Sequence, residues 1–312
     1  METAPCPITD STKFLHVLRL PDRFDSSGEL HWELLRSASS GLLMLNPRPE
    51  QSEAPAHYHS GAYDPYLQSG KGATARERSY LAARRLLLGY RASLVLKGSP
   101  KPSRKLSILE IGCSTGDLLT WLHQKKRIPA AHLAGIEPDE EAAAFAKKRC
   151  GVNVWRSVAD ADTARGPFDR IVMWHALEHI HDLHETLAFA ARWLKRDGEL
   201  VIALPNPASF DALHYGENWI AWDAPRHLYH FTPDTLEKLL EMHGLRIQRR
   251  TPYLPDTLYN TLHSERLRAH REGLPLGVLS VVKSLLKAAA FALKGAAEPA
   301  KASSLVYWAG KT

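Results

Sequence analysis

LSILEIGCSTGDLLTWL, residues 106–122, is the stretch whose reading decides the fold. Leu106, Ile108, Leu109 and Ile111 form a short apolar run that breaks at Gly112, and Leu118, Leu119 and Leu122 recur at helical spacing beyond Gly116. The pattern predicts strand, tight loop and helix. In an open α/β sheet this unit brings backbone N–H groups and a helix N-terminus to the C-terminal end of a strand, where such sheets bind ligands. Gly112 and Gly116 have no Cβ to hold a ligand away. No Gly-Lys-Ser/Thr ending follows, which argues against a P-loop, and Ser114 and Asp117 stand where a dinucleotide fingerprint needs glycines. Asp117 at the helix start would repel a pyrophosphate. A second strand, HLAGIEP (132–138), ends at Glu137, whose carboxylate suits the two hydroxyls of a ribose. A nucleoside without phosphates fits these letters best.

The motifs resemble those of the class I S-adenosylmethionine-dependent methyltransferases, whose first motif reads E/D-x-G-x-G-x-G and is followed by an acidic residue closing strand two. The resemblance implies an α/β fold with a Rossmann-like seven-stranded sheet, helices on both faces, and S-adenosyl-L-methionine as cofactor. It puts Glu110, Gly112, Ser114 and Gly116 around the methionine part and Glu137 on the ribose, with Cys113, Pro138 and Trp174 as further cofactor contacts. Ser114 departs from the family's middle glycine. The turn SVADAD (157–162) falls where the family holds the adenine, so Val158 and Ala159 are expected as wall and backbone contacts and Asp160 near the amino group.

A chain of 312 residues, 44% hydrophobic, can bury a full core. No long uninterrupted apolar segment is present, since Lys283, Lys287 and Lys294 break the most apolar late stretch, and neither export nor a membrane span is expected. Three scattered cysteines suggest no disulfide framework and suit a reducing cytoplasm. The net charge of +6 is uneven, with ten basic residues and only Glu77 acidic between Lys71 and Lys105. Such a segment suits RNA, an anionic substrate or an acidic carrier protein, but is read first as a solvated helix face because no RNA-binding motif accompanies it.

Three regions are expected: residues 1–73, a β-rich segment ending in a lid loop; 74–251, a basic helix and the cofactor-binding core; and 252–312, a helical insertion with a final strand. Residues 12–49 resemble a zinc-ribbon module of related methyltransferases in which Ser37 and Ser40 replace cysteines, so no zinc is expected there. Tyr58, Tyr63 and Tyr66 are lid candidates, Tyr63 being taken as a substrate contact. The helix at 74–96 offers Leu81, Leu86, Leu87, Leu88 and Leu94 for burial. In the insertion, the apolar residues from Val278 to Phe291 are read as core cover, with a pocket wall, a dimer contact or a membrane-surface face as alternatives.

Strand four, FDRIVMW (168–174), delivers WHALEHIHD, which resembles the family's Leu-Glu-His ending beside the transferable methyl group. His175, Glu178 and His179 share one side of a turn. A metal reading competes, but the HEXXH pattern needs glutamate where Ala176 stands, and no metal is expected. A third resemblance lies in NWIAWDAPRHLYHFTP, where Trp219, Trp222, Arg226 and Tyr229 crowd together as an expected substrate wall before the helix cap Thr232. Together these features imply methyl transfer to an oxygen or carbon of a small molecule, with His175, and then His179 or His227, as the base. An RNA methyltransferase and a non-catalytic cofactor-binding protein are the rival readings.

Overall fold

The computed structural model describes residues 1–22, 30–57, 75–161, 166–275 and 277–312. Three short strands open the chain: β1 (Phe14–Pro21), β2 (His31–Ser37) and β3 (Leu43–Leu45). Helix α1 (Ala75–Leu96) leads to β4 (Ile108–Ile111), α2 (Asp117–Lys126), β5 (Leu133–Ile136), α3 (Glu140–Cys150), β6 (Asn153–Trp155) and α4 (Val158–Ala161). Then follow β7 (Phe168–Trp174), α5 (Leu183–Trp193), β8 (Leu194–Pro205), α6 (Phe210–Tyr215), β9 (Tyr229–His230) and α7 (Pro233–Glu241). The chain ends with β10 (Leu245–Pro252), α8 (Leu254–Arg271), α9 (Val278–Ala297) and β11 (Ser304–Lys311).

Seven strands form one sheet in the order β10-β11-β8-β7-β4-β5-β6, parallel except for β11, which runs antiparallel to both neighbours. The central strands are buried on both faces, which is why β4 reads as a continuous apolar run rather than an alternating one. β7 is buried throughout although it carries Asp169 and Arg170. Asp169 is met by Lys101 at 2.5 Å, Lys195 at 2.8 Å and the Ser107 N–H at 2.9 Å, and Arg170 pairs with Glu199 at 2.6 Å. Residues 196–199, RDGE, are letters that suit a turn, yet they lie inside β8, where the register against β7 shifts between Phe168 and Arg170. Adjacent β4 and β7 leave the sheet's C-terminal edge in opposite senses, the switch point at which open α/β sheets hold ligands.

A second, antiparallel sheet has the order β1-β2-β3-β9. Its fourth strand comes from the stretch expected to line the substrate, with Leu43 opposite His230 and Met44 opposite Tyr229. Where a zinc ribbon would carry thiolates, Cys6 Sγ lies 3.1 Å from Ser40 Oγ, and Ser37 Oγ accepts from the Ser40 N–H at 3.3 Å. Hydrogen bonds close this corner.

Two expectations about helices change. In α1 the buried residues are Ala92, Leu94 and Val95, whereas Leu86 and Leu87 are exposed and Leu88 is half-buried; the side chain of Leu81 lies outside the described residues. α9 covers the core only in part: Phe291 packs against the cluster that holds Tyr215, the small residues Ser284, Ala288 and Gly295 are buried, and Val278, Leu279, Leu286 and Leu293 are exposed. Small residues allow close packing on α8, which leaves the bulky side chains pointing outward. Among the described residues, no helix is long and apolar enough to cross a membrane.

Candidate active site

The loop after β4 is shaped by backbone. Gly112 (φ 74°), Ser114 (φ 47°) and Gly116 (φ 73°) all adopt the left-handed region. At Gly112 an added Cβ would come within 2.8 Å of Ala176 Cβ, so the turn after β7 can approach only a glycine. The Gly112 and Cys113 N–H groups donate to the Ile136 carbonyl at 2.8 and 3.1 Å. Glu137, at the end of β5, accepts the Ser114 N–H at 2.7 Å and the Asp139 N–H at 3.0 Å, which ties the two strand ends together. Asp139 caps α3 through the Ala142 N–H at 2.8 Å.

The basic helix supplies charge here. Arg91 pairs with the buried Glu110, and Arg84 pairs with Asp117, which Arg149 also meets at 2.6 Å. Burial pushes the Glu110 carboxyl up to about 7, against the pull of Arg91. Arg91 also stacks on Trp174, 4.8 Å from the ring centroid. Two arginines of a segment read as a solvated face thus point to the sheet edge.

A cavity of about 1400 Å³ runs along this edge, beyond the roughly 300–1000 Å³ of ordinary ligand pockets. One wall is Glu110, Gly112, Cys113, Ser114, Glu137, Pro138 and Val158; the other is Trp174, His175, His179, His227, Asp256 and Tyr259. Gln51 and Ala54 from the N-terminal segment also reach it.

His175 ends β7 in a left-handed conformation, φ 50°. Its Nε2 lies 2.9 Å from Asp256 of α8 and its Nδ1 3.4 Å from Glu178. Burial disfavours the charged ring, but Asp256 and Glu178 outweigh it and push its pKa up to about 10. A carboxylate at each nitrogen favours the charged ring over the neutral one that the expected role of His175 as base needs. Behind it, His179 Nδ1 donates to the Arg226 carbonyl and His227 Nδ1 to the Ala221 carbonyl, both at 2.8 Å. The two rings meet edge to face, 4.6 Å between centroids. Burial, then His179, press the His227 pKa down to about 4. The Leu228 N–H donates to the Glu178 carbonyl at 2.8 Å, locking the 177–179 turn to the 219–230 stretch. Atoms of Glu178, His179 and His227 capable of holding a metal lie within 4.8 Å of one another, a juxtaposition that the metal-free expectation did not foresee.

Other expected residues lie elsewhere. Gly116 does not line the cavity; an added Cβ would lie 2.8 Å from Cys150 Sγ, so it serves the packing of α2 on α3. α4 turns Val158 to the cavity and leaves Ala159 and Asp160 exposed. Trp219 and Trp222 do not line this cavity: they pack at 5.0 Å under the small sheet, their indole N–H groups donating to Asp211 at 2.8 Å and the Gly216 carbonyl at 2.7 Å. Arg226 is buried against Asp223 at 2.9 Å and Asp22 at 3.6 Å, and Tyr229 meets Arg48. Tyr58, Tyr63 and Tyr66 lie outside the described residues. Asp256, Tyr259 and Asn260 of α8 line the cavity without having been foreseen, since nothing in their local pattern separates them from an ordinary helix start.

The family model described as "Methyltransferase domain" matches residues 77–249. No curated protein matches the chain. Among solved structures, a mycolic acid cyclopropane synthase is 16% identical, covers 85% of this chain and 99% of its own, and superposes with a TM-score of 0.52. The O-methyltransferase of a trans-AT polyketide synthase multienzyme from Brevibacillus brevis is 14% identical, covers 76% of each chain and gives 0.51. Geranyl diphosphate C-methyltransferase from Streptomyces coelicolor A3(2) is 16% identical over 78% of this chain and 83% of its own, at 0.50. These likenesses show the fold. With the family model spanning more than half its length, the chain belongs to the methyltransferase-domain family and is a class I S-adenosylmethionine-dependent methyltransferase.

Proposed function

We propose that this enzyme methylates a small-molecule acceptor, with the cofactor along β4, β5 and α4 and the acceptor beside His179 and His227. The observation that carries the reading is a single cavity joining the glycine loop and Glu137 to the histidine cluster. The residues suit the cofactor. Glu110 Oε2 is buried and accepts no hydrogen bond, which suits the α-ammonium of a methionine moiety. Glu137 keeps lone pairs for a ribose beyond the two backbone donors it accepts, and Val158 offers an apolar wall for the adenine.

Bound there, S-adenosylmethionine supplies an activated methyl group, so the chain's own residues have to align the displacement and manage the acceptor's proton. His175, held between Asp256 and Glu178, fixes the start of α8 against the strand ends. His227 donates from Nδ1 to a carbonyl, which leaves its Nε2 as the nitrogen with a lone pair for an acceptor hydroxyl, and His179, donating likewise from Nδ1, packs edge to face against it. The inward pairing of Arg84 and Arg91 removes two cations from the surface an RNA would use, which favours a small acceptor.

Titration calorimetry tests the cofactor side: S-adenosylhomocysteine should bind and NAD should not, and comparable affinity for NAD would overturn the residue assignment. Transfer of labelled methyl to a panel of phenols, sugars and enols tests the acceptor side. Labelling of RNA but of no panel member would reverse the acceptor class.

A further inference from the structure

Glu178 is 1% exposed, and neither carboxylate oxygen accepts a hydrogen bond. His175 Nδ1 stands off at 3.4 Å, and His227 Nε2 at 4.0 Å. A buried carboxylate is ordinarily satisfied on several sides. Pairing with His175 alone accounts for its charge but not for the rings that surround it.

The tautomers of those rings are set by chemistry. A carbonyl only accepts, so the 2.8 Å contacts to Arg226 and Ala221 put the proton of His179 and of His227 on Nδ1. His227 Nε2 then directs a lone pair into a space shared with Glu178 Oε1, at 4.0 Å, and Asp223 Oδ2, at 3.9 Å. Lone pairs and negative charges converge there, and a cation is what they favour. His227, fixed by a carbonyl at Nδ1 and turning Nε2 toward the carboxylates, is held as metal-binding histidines are oriented.

We propose that Glu178, His179 and His227 hold a divalent transition-metal ion of the zinc, cobalt or manganese class. Two imidazoles and one carboxylate suit that class, whereas calcium and magnesium take all-oxygen shells. Metal–ligand bonds of about 2.0–2.2 Å set ligand atoms roughly 3–3.5 Å apart, so the three atoms, now within 4.8 Å, close by about an ångström on binding. Such a site leaves coordination positions open toward the cavity. There the ion, occupying the Nε2 lone pair that would otherwise meet the acceptor hydroxyl, would itself take the acceptor oxygen and lower its pKa, a role that rests on the proposed function, as the site itself does not.

Cobalt(II) is the probe, because its visible absorption reports nitrogen and oxygen ligation directly. The full chain should bind one Co²⁺, with a visible band that Zn²⁺ displaces. Glu178→Gln and His227→Ala should each weaken Co²⁺ binding at least tenfold, with S-adenosylhomocysteine affinity, measured by calorimetry, unchanged. If Glu178→Gln does not fold, His227→Ala and His179→Ala decide. Absence of stoichiometric Co²⁺ in the wild type, or equal binding in the variants, overturns the proposal. Cobalt bound at this site without methyl transfer to any acceptor sustains the site and removes only its role in transfer.

Discussion

The wall formed by Glu110 to Ser114 and Glu137 is made mostly of backbone at the ends of two adjacent parallel strands, whereas the opposite wall is made of side chains from three distant stretches: His175 to His179, Ala221 to His227, and Asp256 to Asn260. The first wall needs particular backbone angles and a few small residues, so a short motif encodes it. The second needs side chains that become neighbours only after α8 and the 219–230 stretch have packed. A family that keeps the first wall and varies the second keeps its cofactor and changes its acceptor.

The contrast breaks most visibly at Trp219. If that ring is packing rather than pocket, Trp219→Ala should cost about 3–5 kcal/mol of stability in a denaturant titration, and cofactor affinity and turnover should fall only where the fold itself is lost. Unchanged stability with a selective loss of turnover would return Trp219 to the acceptor wall. Next in size is Glu137→Ala, expected to weaken S-adenosylhomocysteine binding by about 1–3 kcal/mol in calorimetry; intact affinity would remove Glu137 from the first wall.

A third test uses a residue belonging to neither wall. Burial alone would raise the Asp169 carboxyl, but Lys101, Lys195 and Ser107 outweigh it and hold it well below the usual carboxylate range. Its stabilising contribution is therefore complete above the unfolded carboxylate's pKa of about 4 and is lost as pH falls toward the lower folded value. Asp169→Asn should flatten that part of the acid-unfolding curve and leave cofactor affinity at neutral pH unchanged. An unaltered acid slope would contradict it. The smallest effect is expected at Ser114, whose φ of 47° suits glycine. Ser114→Gly should raise stability by about 0.5 kcal/mol, the relief of a left-handed residue less glycine's added chain entropy, and a fall in the thermal midpoint would show that the serine side chain compensates.

Legibility followed the same division. β4, its loop, α2, Glu137 and β7 were readable because each is determined by residues a few positions apart. The seven-stranded sheet followed, down to the antiparallel β11. The aromatic run from Trp219 misled because a pocket wall and the underside of a small sheet use the same residues, and only the pairing of β3 with β9 distinguishes them. Arg84 and Arg91 misled in the other direction: a basic helix face looks the same whether its partners are solvent or carboxylates across the fold. His175 was correctly placed at the strand end, but its protonation depends on Asp256, eighty-one positions later.

The β3–β9 pairing also orders events in time. Synthesis delivers β1, β2 and β3 long before β9, and until then Leu43 to Leu45 form an apolar edge with no strand beside it. The stretch before β9 is also tied to the Glu178 carbonyl through the Leu228 N–H, which couples closure of the small sheet to the turn that follows β7 in the large one. A nascent chain therefore carries an open, aggregation-prone edge while everything between β3 and β9 is made. A hairpin made before the large sheet is thus completed by a strand made after β8.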